Sequence, residues 1–145
     1  MKHVCSVAIA CLAVGLLGSV GCNRSGLDLA PVEGVVTYNG APVEKAGVLF
    51  MPETGPSATG TTDAAGRFTL RTANHDGALV GNHRVAISKT QTKAMQVAGE
   101  AMPRYNTKYF LPEKYSSPAT SELSATVVDD DNSFSFDLTG KTGGT

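Results

Sequence analysis

Asp63 stands in the stretch "TTDAAGRFTLRT", His75 and His83 lie in "ANHDG" and "GNHRVAI", and three consecutive carboxylates, Asp129 to Asp131, precede Asn132. These are the side chains that could hold a metal or move a proton, and their spacing argues against both. Calcium needs six or more oxygen ligands, and a lone carboxylate at a turn does not supply them. Asp129 to Asp131 lack the spaced ligands and distal Glu of a calcium loop, and Asp and Asn are ordinary turn residues between strands. Acid and base work needs two titrating groups with environments that differ, and Asp63 has no such neighbour in the sequence. Zinc needs clustered Cys or His, which are not here. "GKT", residues 140 to 142, would belong to a phosphate loop only if Gly stood at position 135, which is Ser135. No catalytic residue, metal or cofactor is therefore expected, and His75 and His83 read as a loop residue and a strand-end residue.

A different chemistry is written at the N-terminus. "MKH" is basic, residues 4 to 18 form the apolar run "VCSVAIACLAVGLLG", and "SVGCNRSG" then turns small and polar. This is the pattern of a secretory signal, and the run is shorter than the roughly 20 residues of a membrane-spanning helix. Of three cysteines, Cys5 and Cys11 fall within the apolar run, so cleavage leaves Cys22 alone and no intrachain disulfide is possible. A lone thiol in an oxidising compartment is reactive, whereas a lipid-capped one is inert. "SVGC" resembles the lipobox of bacterial lipoproteins, with Ser19 where Leu is usual. The resemblance implies lipidation at Cys22 (palmitate among its acyl chains) and a signal peptide over residues 1–21. It also implies an extracytoplasmic, membrane-anchored location, at the outer membrane because Asn23 rather than Asp follows the Cys.

Residues 22–30, ending in "NRSGLDLA", read as a flexible tether. Beyond Pro31 the chain of 145 residues has room for one domain. Sixteen Gly, seven Pro, no Trp and 17% charged residues favour short strands and turns over helices. A net charge of −1 without a block of five or six like charges gives no footprint for nucleic acid. "VEGVVTY" ends in the hairpin signal "NG", and "DAAG" makes a four-residue turn: the Asp63 carboxylate reaches backbone N–H groups two residues on, and Gly66 accepts positive φ. Period-two alternation places Phe68 and Leu70 opposite Arg67, Thr69 and Arg71. In the same way Val85 and Ile87 oppose Arg84 and Ser88, and Phe134, Phe136 and Leu138 oppose Ser133, Ser135 and Asp137. Half-buried antiparallel strands of this kind need a second layer, so about seven of them predict an all-β sandwich. Residues 92 to 102 could form one or two helical turns.

"GVVTYNGAPVEKAGVLF", "TTDAAGRFTL" and "GNHRVAI", in this order, resemble the carboxypeptidase regulatory-like domain, a transthyretin-like (prealbumin-like) Greek-key β-sandwich. "LPEKYSSPATSELSATV" and "NSFSFDL" further resemble small planctomycete-type lipoproteins built on it. The resemblance covers residues 31–139, with residues 91–123 as a long loop insertion and 140–145 as a disordered tail. Its motifs are turn and core positions, so it implies a fold and no activity.

The candidate recognition surface is "MPRYNTKYFLPEKYSSP", residues 102–118, which holds Tyr105, Tyr109, Phe110 and Tyr115 with Arg104, Lys108 and Lys114 between them. Four of the chain's aromatics, four Tyr and five Phe in all, fall there. Phe110, Leu111 and Tyr115 are expected to fold back over an open end of the sandwich. Tyr105 and Tyr109, with Arg104 and Lys108, are the expected binding residues, since Tyr among basic residues suits protein surfaces and glycans. The sequence thus predicts a non-enzymatic, lipid-anchored cell-envelope protein acting as a structural or protein-interaction module. The alternative is a glycan- or peptide-binding lipoprotein that uses residues 102–118.

Overall fold

The computed structural model describes residues 26–142, and Cys22 and the signal segment lie outside them. In chain order the strands are β1 (Leu29–Ala30), β2 (Val32–Tyr38), β3 (Ala41–Pro42), β4 (Gly47–Pro52), β5 (Ala58–Thr61), β6 (Arg67–Thr69) and β7 (Arg71–Thr72). There follow β8 (His75–Asp76), β9 (Ala78–Leu79), β10 (Gly81–Ser88), β11 (Thr90–Met95), β12 (Arg104–Tyr109), a 3₁₀ turn at Glu113–Ser116, β13 (Leu123–Val127) and β14 (Asn132–Leu138). The fold is an all-β sandwich. One sheet has the order β13-β10-β4-β5-β7-β8; the other is built on β2, with β14 on one side and β3 and β6 on the other.

The apolar alternation places one face of each strand between the sheets. Phe50 of β4 is fully buried, and its ring centroid lies 6.4 Å from Phe68, 5.6 Å from Phe134 and 6.0 Å from Phe136, all contributed by the opposite sheet. Tilted and edge-on ring pairs at these separations are the favoured aromatic geometries. β2 comes close to this cluster at Gly34, where an added Cβ would stand 2.6 Å from Phe68 Cζ and against the Phe134 carbonyl oxygen. Leu111 and Tyr115 are buried as expected, whereas Phe110, expected with them, is only half-buried, beside Lys89 and Lys108. The Tyr115 hydroxyl donates to the Thr139 carbonyl (3.1 Å) and accepts from the Thr139 N–H (3.3 Å).

The expected turns form. Asn39 and Gly40 both have positive φ, at 49° and 83°, and join β2 to β3. Asp63 Oδ1 accepts from the N–H groups of Ala65 and Arg67, each at 2.9 Å, while Gly66 takes φ 75°. The Asp63 N–H donates to Arg67 O at 2.8 Å, closing the turn.

Six expectations are corrected. After β3 the chain leaves the β2 sheet, because β4 pairs with β5 and β10. The return from Asp63 also divides: β6 pairs with β2 whereas β7 pairs with β5, so one extended segment serves both sheets and longer runs are cut into fourteen short strands. β14 runs parallel to β2 from Asn132↔Val32 to Leu138↔Tyr38, so the sheets are not wholly antiparallel. The tether ends before residue 30, since Leu29 and Ala30 pair with Leu79 and Ala78 and Ala30 is buried. Residues 91–123 are not a long loop: most of 92–102 that could have been helical is strand or turn, and β11 and β12 form an antiparallel ribbon. At the far end Gly140 is held in place, accepting from the Tyr38 hydroxyl at 2.7 Å, so ordered structure runs into the expected tail.

Candidate functional site

The ribbon gathers the candidate binding residues and sorts them. β11 continues β10 with only Lys89 between, and the Phe110 N–H donates to Lys89 O at 2.9 Å, extending the β11–β12 ladder by one step. In the register Thr90↔Tyr109 through Met95↔Arg104, directly paired residues share a face. One face therefore carries Thr90, Thr92 and Ala94 with Tyr105, Thr107 and Tyr109. The Thr92 and Thr107 hydroxyls, 3.0 Å apart, meet on it. The other carries Lys89, Gln91, Lys93 and Met95 with Arg104, Asn106, Lys108 and Phe110. There the Lys89 and Lys108 ammonium groups lie 5.7 and 5.1 Å from the Phe110 ring centroid, a cation–π arrangement.

Tyr105 and Tyr109 are thus brought onto one face, about 13 Å apart at four strand steps, and Arg104 and Lys108 onto the reverse. The four do not form a single constellation. Tyr105 is 70% exposed, Tyr109 half-buried. Arg104 reaches back to the tip of the ribbon, where Nε and Nη2 donate to the Glu100 carboxylate at 3.0 and 2.6 Å. That bidentate pair raises the Arg104 pKa above its ordinary value. Sequence reasoning missed Lys89 and Lys93. Their spacing of four matches that of Arg104 and Lys108, but only the strand register shows that all four share a face.

The remaining candidates have structural employment. His83 is buried, its ring centroid 5.7 Å from that of Phe50, and Nε2 donates to Leu79 O at 2.7 Å. Its Nδ1 is buried and finds no partner among the described residues. His75 lies in β8, paired with Thr72. Asn132, which sequence reasoning read only as a turn residue, is the organiser of the acidic turn: Oδ1 accepts from Val128 N–H, and Nδ2 donates to the carbonyls of Pro31, Val128 and Asp130. Among the described residues no three His, Cys, Asp or Glu side chains converge as metal ligands do. A cavity of about 520 Å³ lies near the start of β2, with Glu33, Asp76, Asp131 and Asn132 in its lining. Its Asp76 is already engaged by Arg71 Nε at 2.8 Å.

Neither a protein-family model nor a curated protein matches the chain. Among solved structures, a 9R-lipoxygenase from Cyanothece PCC8801 is similar to 78% of this chain at 15% identity with a TM-score of 0.34. The match covers 16% of that lipoxygenase, and at this TM-score it carries no argument about fold or activity.

Proposed function

We propose that the protein is a non-enzymatic lipoprotein of the cell envelope, anchored through Cys22, whose β-sandwich of carboxypeptidase regulatory-like type serves as a structural or protein-interaction module. The observation that carries this reading is the position of the ribbon. Val80 N–H donates to Asp28 O at 3.0 Å, which places the N-terminal segment at the start of β10, while the ribbon leaves from its end. Eight residues of β10 separate them, about 26 Å of strand. Residues 23–28 span at most about 20 Å when fully extended. An anchor at Cys22 would therefore keep the start of β10 within about 20 Å of the bilayer, with the ribbon at the other end of that strand as an exposed two-stranded element that can meet a partner. The signal pattern and Asn23 support an extracytoplasmic site at the outer membrane.

A second reading, a glycan- or peptide-binding lipoprotein, is favoured by the Tyr face: Tyr105, Thr107 and Tyr109 beside Thr90 and Thr92 offer ring surfaces flanked by hydroxyls.

In-cell crosslinking of the anchored protein, with mass-spectrometric identification of what co-purifies, tests both. One dominant protein lost in the Tyr105→Ala/Tyr109→Ala variant is the expected result for an interaction module. Recovery of polysaccharide fragments alone would replace it with the glycan reading. The anchor is tested separately, since Cys22→Ala should leave an unprocessed precursor without lipid, and normal processing of that variant would remove the lipoprotein assignment.

A further inference from the structure

The reverse face of the ribbon has a regular charge pattern. Taking positions along β11 and pairing each with its partner, Lys89 stands at the first, Lys108 opposite Gln91 at the next, then Lys93 opposite Asn106, then Arg104 opposite Met95. The cations alternate between the two strands, one at each two-residue step. Each step advances about 6.6 Å, so the four rungs extend over about 20 Å. Arg104 is shared with Glu100, whereas Lys89, Lys93 and Lys108 make no salt bridge among the described residues. Glu100 is the one acidic residue between positions 89 and 110, out of thirteen in the chain. The ribbon thus carries four of the chain's twelve Lys and Arg side chains against one carboxylate, while Glu33, Asp76 and Asp131 line the cavity near the start of β2.

We propose that this face binds a linear acidic polysaccharide laid along the ribbon, its carboxylates matched to the lysine rungs. A ladder of cationic side chains at even backbone steps on an exposed, extended surface complements a polymer whose own charges recur at a fixed interval. Gln91 and Asn106, opposite Lys108 and Lys93 on the two middle rungs, supply amide donors and acceptors for sugar hydroxyls. Single-stranded nucleic acid fits less well, because it needs aromatic platforms for its bases. The aromatic ring on this face, Phe110, is flanked by two ammonium groups, and Tyr105 and Tyr109 are on the opposite side. The proposal deepens the second, glycan-binding reading, places its site on the lysine face rather than the Tyr face, and rests on the anchored reading only for the setting. Its test uses purified protein, so its failure leaves the anchor and crosslinking results standing.

The test is titration of the full-length chain, in detergent micelles, with polygalacturonate, with neutral dextran and with single-stranded DNA. Binding to polygalacturonate and none to dextran is expected. The log–log salt slope should be about −2, for three lysines at the per-charge value of a single-stranded polyanion. Lys93→Gln/Lys108→Gln should weaken binding at least tenfold and flatten the slope to about −0.7, while Lys45→Gln, an exposed cation off the ribbon, leaves it unchanged. No binding to polygalacturonate at low salt, an unaltered lysine variant, or an equal loss of binding in Lys45→Gln would each overturn the proposal. Single-stranded DNA bound as tightly as polygalacturonate would overturn the polysaccharide assignment.

Discussion

The hydroxyls of Thr92 and Thr107 lie 3.0 Å apart across the ribbon and help fix which residues of β11 and β12 face one another. Strand side chains alternate with a period of two, so a slip of one residue in either strand would move its tyrosines or lysines to the other face. The Thr92→Ala/Thr107→Ala variant should lose about 0.2–1 kcal/mol of local ribbon stability. Hydrogen exchange should quicken at the amides of β11 and β12 and stay unchanged in β10 and β4. Equal acceleration throughout would mean that the ribbon and sandwich open as one unit.

Phe50 is the shared neighbour of Phe68, Phe134, Phe136 and His83. Truncation to Ala removes contacts with both sheets and leaves a cavity between them, at a cost of about 3–5 kcal/mol. Urea unfolding followed by circular dichroism measures it, and a loss under about 1 kcal/mol, well below the range for a buried Phe, would contradict the central position of the ring.

At Gly34 the restriction is the reverse, an absence of space. A methyl group there meets Phe68 Cζ at 2.6 Å and the Phe134 carbonyl oxygen. Gly34→Ala is expected to cost about 1–3 kcal/mol as an overpacked site. Phe68→Leu in the same chain should recover part of that loss, giving a coupling energy in a double-mutant cycle. Strict additivity would show that the backbone clash alone sets the cost.

Asp63 ties pH to stability. The Arg67 N–H chiefly, opposed by desolvation and aided by the Ala65 N–H and the Arg67 guanidinium, holds its carboxyl below the ordinary carboxylate range. A depressed folded-state pKa adds stability above the unfolded value, near about 3.9, and that contribution is lost as pH falls through the folded-state value. Thermal melts of the native protein should therefore weaken on acidification across this window. Asp63→Asn should lower the melting temperature at neutral pH and remove that part of the acid dependence. Melting curves that remain parallel from neutral pH to pH 2 would contradict the link.

Turn chemistry and burial alternation were legible because each is written in adjacent residues. Asp63 with Gly66 and Asn39 with Gly40 fix local dihedrals, and Phe68, Leu70, Phe136 and Leu138 alternate with polar neighbours because one side of each strand meets the other sheet. The pairing of β14 with β2 was not legible, since nothing local in "NSFSFDL" records that its partner lies about a hundred residues away and runs parallel. The ribbon was hidden for a different reason. "TQTKAM" and "RYNTKY" alternate hydroxyl and aromatic residues with cations and amides, and neither face is buried, so the apolar half of the strand signal is missing. Tyr105 and Lys108 looked like neighbours in a loop; the strand turns them to opposite sides.

The continuity of β10 through Lys89 into β11 also makes a path for mechanical load. A pull between the ribbon and the segment before Leu29 enters along the axis of β10 and leaves through β1, which pairs with β9, and β2 of the other sheet. Strand hydrogen bonds stand across that axis, so the links of β10 to β4 and β13, and of β2 to β14, would be stretched in shear all together rather than unzipped one at a time. The force would then fall on the seam between the sheets, where Phe50 meets Phe68, Phe134 and Phe136, and the aromatic core would act as the joint of a tensile strut.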